Sequence, residues 1–215
     1  MKTNYKHIIW DWNGTLLDDV HLCLDVLNRM LRRRNLTEIT LSRYRRLLDF
    51  PVIDFYRRLG FDFKNESYEN VADEYIDGYA SSWPGCRLHP QAENVLRTIH
   101  TAGLSQSVLS AYQQQRLEEA IDYFGLRPWF VRLIGLNDPY AAGKTDNGKR
   151  WMQQLDHSGR EVLLIGDTVH DAQVAQAMGA DCALTTFGHN SKKRLRNCGV
   201  RLFDSLEEIR KVLTD

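Results

Sequence analysis

The run Ile8-Ile9-Trp10-Asp11-Trp12-Asn13-Gly14-Thr15-Leu16-Leu17-Asp18 restricts the fold more than any other stretch, because a short apolar strand breaks at an acidic residue into a glycine turn. This presents a carboxylate at the carboxyl edge of a sheet. Open α/β sheets bind ligands there, and turn N–H groups can hold an anion. A second apolar run, Val162-Leu163-Leu164-Ile165, ends in Gly166-Asp167-Thr168-Val169-His170-Asp171. Two strand ends carrying carboxylates predict a Mg2+ site, since a hard dication takes oxygen ligands.

From Asp19 to about Ala80 apolar residues recur at helical spacing, first as Val20, Cys23, Leu24, Leu27, Met30 and Leu31, later as Tyr68, Val71, Ala72, Tyr75, Ile76 and Tyr79. Polar breaks near Asn35 to Thr40 and Asp62 to Ser67, with Phe50-Pro51-Val52-Ile53 and Gly60 between, divide the region into several helices. After Trp83-Pro84-Gly85 helix and strand alternate. Pro90 is expected to open a helix through Ala92, Val95, Leu96 and Ile99 that stops at Gly103, and a strand then leads to Ser110. A helix through Leu117, Ala120, Ile121 and Phe124, a strand over Val131 to Leu136, and a helix marked by Trp151, Met152 and Leu155 precede the Asp167 strand. Strands over Cys182 to Thr186 and Val200 to Phe203 and a helix through Leu206, Ile209 and Leu213 close the chain. The pattern predicts a doubly wound, mostly parallel α/β sheet, Rossmann-like, over residues 1–18 and 82–215, with an inserted all-helical cap over 19–81. A chain of 215 residues suits one such core and a modest insertion.

Charge narrows the partners. Lys plus Arg and Asp plus Glu both number 28, and the basic runs Arg32-Arg33-Arg34 and Lys192-Lys193-Arg194-Leu195-Arg196 suit solvated helix faces, so no nucleic-acid partner is expected. Cys23, Cys86, Cys182 and Cys198 lack C-x-x-C spacing, which disfavours a zinc site and suits reduced thiols of a cytoplasmic protein. Met1 to Lys6 runs straight into the first strand, and no apolar segment approaches the roughly 18 residues of a membrane span, so neither export nor membrane insertion is expected.

Asp11 with Asn13-Gly14-Thr15, the strand-end Ser110, Lys144 in Ala141-Ala142-Gly143-Lys144-Thr145, and Gly166-Asp167 through Asp171 occur in the order of the haloacid dehalogenase-like superfamily of phosphotransferases, which the chain resembles over nearly its whole length. The resemblance implies Mg2+ and a phosphatase of the phosphoglycolate phosphatase-like branch, hydrolysing a small phosphorylated metabolite. Asp11 would be the nucleophile, forming an aspartyl-phosphate. Gly14 and Thr15 would supply backbone donors to the phosphoryl oxygens, Ser110 a hydroxyl donor, and Lys144 a balancing charge paired with Asp11. Asp167 would ligate the metal directly, Asp171 would lie nearby, and the Asn13 carbonyl would be a further ligand. Lys149 is a rival for the lysine role, but it falls inside the helix through Trp151. His170 reads as a surface or neighbouring imidazole rather than a Mg2+ ligand. Asp171 also stands where an N-cap is wanted.

Asn13 departs from the family pattern, which places an aspartate there to protonate the leaving group and activate water. That assistance is typically worth about 10²- to 10⁴-fold. Three escapes are open: a leaving group that needs no proton, a substitute acid from the cap or from Asp18, or a protein that binds phosphate or partners without efficient turnover. A 2-haloacid dehalogenase would need no metal, and a sugar-phosphate mutase would need the proton shuttle that Asn13 lacks. For specificity the cap offers Arg45, Arg46, Arg57 and Arg58 around Asp49-Phe50-Pro51, any of which could pair with a second anionic group, although each taken singly better suits a solvated helix face.

Overall fold

The computed structural model describes residues 4–137 and 143–214. Met1 to Thr3 and Ala141-Ala142 lie outside them. Strand β1 (His7–Trp10) leads to the Asp11 turn, a two-residue strand β2 (Leu17–Asp18), and four helices: α1 (Val20–Arg33), α2 (Leu41–Leu47), α3 (Val52–Leu59) and α4 (Tyr68–Ala80). The chain returns through β3 (Arg87–Leu88), which pairs antiparallel with β2. Then follow α5 (Ala92–Thr101), β4 (Ser105–Gln113), α6 (Gln114–Tyr123), β5 (Arg132–Leu136), α7 (Thr145–Gln154), β6 (Val162–Gly166), α8 (Val169–Met178), β7 (Asp181–Thr185), α9 (Lys192–Leu195), β8 (Arg201–Phe203) and α10 (Leu206–Thr214).

Six strands form one sheet in the order β5-β4-β1-β6-β7-β8, and every neighbouring pair is parallel. A central parallel strand is covered on both faces, and β1 is buried at all four positions. Its alternate residues separate the two sides. Ile8 and Trp10 join Val95, Leu96 and Ile99 of α5, Leu117 and Ile121 of α6 and Ile209 of α10, whereas Ile9 packs with Val174, Ala175 and Met178 of α8 and against Trp151 and Met152 of α7. Helices α1–α4 share a further cluster around Leu27, Met30, Leu31, Phe55 and Val71. No described helix is long and apolar enough to cross a membrane.

Three local expectations need correction. The helix after Pro90 starts at Ala92, because Gln91 adopts φ +69° and cannot be helical. Asp171 is not the N-cap of α8: Thr168 is, and Asp171 is the third helical residue, closing a capping box with it. Strand β4 runs past Ser110 to Gln113, with its register against β5 shifting between Leu109 and Gln113. Ser110 lies within that irregular interval, and such breaks re-aim side chains.

Candidate functional site

Asp11 and Asp167 follow the last residues of β1 and its neighbour β6, and Ser110 stands within β4, the other neighbour of β1, where the register against β5 shifts. Asp11, Asp167 and Asp171 bring carboxylate oxygens within 4.8 Å of one another, all buried. Lys144, 2% exposed, donates to Asp11 Oδ1 and to the Leu109 carbonyl (2.8 Å), and pairs with Asp171 Oδ1 at 2.7 Å. It sits at the N-cap of α7, whereas Lys149 lies inside that helix and is exposed. Ser110 Oγ accepts from the Tyr112 N–H (3.0 Å), which leaves its own proton available to a ligand.

The charges are strained in a way that suits a cation. Burial, with Asp171 and Asp167 adding to it and Lys144 opposing, pushes the Asp11 carboxyl up to about 8. Burial, with Asp171 adding to it, takes Asp167 to about 6 against the pull of His189. Asp171 is buried too, yet Lys144 and Thr168 hold it below the usual carboxylate range. Against its own burial, Lys144 is held charged by Asp11 and Asp171. Three buried carboxylates against one ammonium leave excess negative charge among oxygen donors, a set that fits Mg2+.

Gly14 and Thr15 are placed differently from expectation. The Gly14 N–H donates to the Leu17 carbonyl and to Asp19 Oδ1 (both 2.9 Å), and the Thr15 N–H to the Trp12 carbonyl (3.3 Å), so neither is free for a phosphoryl oxygen. The Thr15 hydroxyl instead donates to Asp167 Oδ1 (3.1 Å). Gly14 (φ +74°) and Gly188 matter for approach. A Cβ at Gly14 would lie 2.6 Å from Asp167 Oδ2, and one at Gly188 would lie 2.1 Å from it.

The sequence reading missed a second buried group. Asp19, fully buried, accepts from Asn13 Nδ2 (2.7 Å) and the Tyr79 hydroxyl (2.7 Å), and pairs with His189 Nε2 at 3.2 Å. Asn13 Nδ2 also reaches the Tyr79 oxygen (2.8 Å), and His189 Nδ1 meets the Tyr44 hydroxyl (2.9 Å). The His189 N–H donates to Asp167 Oδ2, joining this group to the carboxylates. A signal existed in Thr186-Phe187-Gly188-His189-Asn190, a polar glycine turn following a strand beside the Asp167 strand. Asp18 is exposed in β2 and its side chain does not line the cavity above Asp11. His170 does line it, stacked on Phe50 at 4.6 Å, and burial lowers its pKa so that it is neutral near pH 7.

None of the four cap arginines lines that cavity. Arg45 donates to the Phe187 carbonyl (2.6 Å), Arg46 to Ser42 Oγ (3.4 Å), Arg57 to Asp54 (2.7 Å) and Arg58 to the Leu47 carbonyl (3.4 Å). Arg116 of α6 lines it instead.

The Asp19–His189 pair carries its own pH signature. Burial works against both charges, but each partner sustains the other: Asp19 stays below the usual carboxylate range and His189 rises to about 9. A raised imidazole stabilises the fold fully below its unfolded value near 6.5 and loses that contribution as pH rises through about 9. In chelator-treated protein the Tm deficit of His189→Asn should therefore be largest near pH 6 to 7 and shrink above pH 9. A deficit independent of pH across that range would show that His189 is not charged in the folded state.

The haloacid dehalogenase-like hydrolase family model matches residues 8–185, and the chain belongs to that family. It is 28% identical over 205 residues to the phosphoglycolate phosphatase of Aliivibrio fischeri, covering 88% of each chain. With the phosphoglycolate phosphatase of Pseudomonas putida it shares 24% identity over 191 residues, 85% of this chain and 70% of that one. In fold it is similar to a crystal structure from Clostridium acetobutylicum described as a predicted phosphatase, with TM-score 0.81, 20% identity and 96% and 97% coverage of the two chains.

Proposed function

We propose that the protein is a Mg2+-dependent phosphatase acting on a small phosphorylated metabolite through an aspartyl-phosphate on Asp11, with α1–α4 as a cap that covers the site. One observation carries this reading: a strand-end carboxylate bonded to a buried lysine, with two further carboxylates within 4.8 Å. An Asp11 oxygen attacks phosphorus, and the bond from phosphorus to the leaving oxygen breaks with its electron pair going to that oxygen. Water then cleaves the acyl phosphate, freeing Asp11 and inorganic phosphate. Lys144 balances charge on the transferring group while orienting Asp11, and the Ser110 proton is donated to a phosphoryl oxygen.

Asp11, Asp167 and the Asn13 carbonyl would hold the cation, with Asp171 beside them. Bound there, Mg2+ neutralises the repulsion between Asp11 and a phosphate dianion and favours the ionised carboxylates. A panel of phosphorylated metabolites assayed with Mg2+ and with chelator tests the reading. Release of phosphate that requires the metal supports it, and no release from any ester or acyl phosphate would overturn it.

Asp167 and Asp171 should separate by readout. Asp167→Ala is expected to weaken Mg2+ binding by about 10- to 100-fold in calorimetric titration, because it removes a ligand. Asp171→Ala should weaken it less and lower Tm more, because Asp171 also accepts from the Thr168 N–H (2.9 Å) and Oγ (2.6 Å) and neutralises Lys144. Equal metal affinity in wild type and Asp167→Ala would end the ligand assignment.

A further inference from the structure

The cavity that opens from Asp11 holds about 430 Å³, inside the roughly 300–1,000 Å³ of small-molecule sites. Carboxylates, Ser110 and Lys144 make one end of it. The rest is a different surface: Leu27, Phe50, Val52, Phe55, Ile76 and Tyr112 line it, drawn from α1, the turn before α3, α3 itself, α4 and the end of β4. Its aromatic groups are held in place by their neighbours. Phe50 stacks on His170 at 4.6 Å, Tyr112 meets Tyr79 edge-on at 5.7 Å, and Tyr79 is anchored to Asp19 through its hydroxyl.

Charge in the lining points the same way. Asp11, Asp19 and Asp171 contribute to it from buried positions and Asp73 and Asp77 from exposed ones. Among the described lining residues the cations are Lys144, His189 and Arg116. Lys144 is paired with Asp11 and Asp171 and His189 with Asp19, whereas Arg116 donates to the neutral Ile76 carbonyl (3.3 Å) and keeps its charge. A carboxylate on the leaving group would enter an acidic, apolar space in which the cap arginines are turned elsewhere. Of the described lining cations, Arg116 alone faces no carboxylate and could meet such an anion, whose other neighbours would be apolar or acidic, whereas an uncharged ring gains area and ring contacts along the whole apolar lining.

We propose that this cavity receives the leaving group of the substrate, and that this group is an uncharged aromatic alcohol or one of similar apolar breadth, rather than a small carboxylate-bearing one. The assignment rests on the reading of Asp11 as the nucleophile of a phosphatase. It also accounts for Asn13. A phenolate departs without a proton from the enzyme, so a site that selects aryl esters by shape and polarity tolerates an amide where an acid would otherwise be needed.

Calorimetric titration of the Mg2+-loaded full chain with benzylphosphonate and phosphonoacetate tests the cavity apart from turnover. Benzylphosphonate should bind about tenfold more tightly or better. Ile76→Arg should cut that ratio by about tenfold or reverse it, by setting a further cation within the apolar lining. Phe50→Ala should weaken benzylphosphonate more than phosphonoacetate. Equal or tighter binding of phosphonoacetate by wild type, or a ratio untouched by both variants, overturns the proposal. Acetyl phosphate, whose leaving group is small and needs no proton, reports on the phosphatase reading by itself. If it is turned over while phosphonoacetate binds better, the cavity assignment alone is wrong. If nothing is turned over while benzylphosphonate still binds selectively, catalysis at Asp11 is wrong and the apolar site stands.

Discussion

Asp11→Asn is expected to lower turnover by about 10⁴-fold or more, the scale on which loss of a nucleophile acts, while leaving the fold intact. The amide is nearly isosteric with the carboxylate, but its nitrogen cannot attack phosphorus and its oxygen is a weak nucleophile. The structure adds a second expectation. In metal-free protein Asp11 is one of three carboxylates crowded within 4.8 Å, and burial already pushes it up to about 8. Replacing it with a neutral amide removes part of that repulsion and also removes the partner of Lys144, so Tm should change little. Mg2+ affinity should fall in the same variant, because one of the oxygens proposed to hold the cation has lost its charge. Circular dichroism, phosphate release and metal titration on one preparation separate these effects. Turnover within about tenfold of wild type would remove Asp11 as the nucleophile.

The sheet was legible because its strands are short apolar runs ending in turn residues, and parallel strands buried on both faces show that pattern plainly. Asp11 and Asp167 could be placed together from sequence, since both follow such runs and the ends of adjacent parallel strands share an edge. Lys144 was separable from Lys149 by the length of one helix. The register shift in β4 between Leu109 and Gln113 was not legible, because such a shift depends on the partner strand rather than on the residues that shift. Gly14 illustrates another limit. A glycine after an acidic residue suggests free N–H donors, yet the Asp19 carboxylate folds back onto that N–H, and Asp19 gives no sign in the sequence of being other than the first residue of the cap. The Asp19–His189–Tyr44 group joins positions far apart in the chain, so its existence depends on how the helical segment docks. The cap arginines were open to two readings, and a basic helix face that pairs locally and with main-chain carbonyls suits the solvated one: Arg46, Arg57 and Arg58 are exposed, and Arg45 reaches Phe187 rather than the cavity.

Asn13→Asp should accelerate hydrolysis of alkyl phosphates by about 10²-fold or more while changing aryl and acyl phosphates little. An alkoxide leaves poorly unless it is protonated as it departs, whereas a nitrophenolate or a carboxylate leaves unaided, so leaving-group dependence isolates the missing proton. The surroundings of Asn13 show what such an acid would face. Asn13 Nδ2 now lies 2.7 Å from Asp19 Oδ2 and 2.8 Å from the Tyr79 oxygen, so an aspartate would set one carboxylate oxygen against another. Two carboxyls in that contact cannot both ionise easily, and the new one would hold its proton to higher pH than a free aspartate does. That is the form needed to donate to an alkoxide. The same crowding predicts a cost once the new carboxyl ionises: Asp19 then loses a donor, a loss of roughly 1 to 3 kcal/mol, and Tm should fall most at pH values where both carboxyls are ionised. The wild type should accordingly favour aryl and acyl phosphates over alkyl ones. Should it already hydrolyse an alkyl phosphate at ordinary enzyme rates, with Asn13→Asp adding nothing, another group supplies the proton and Asn13 is not a catalytic deficit.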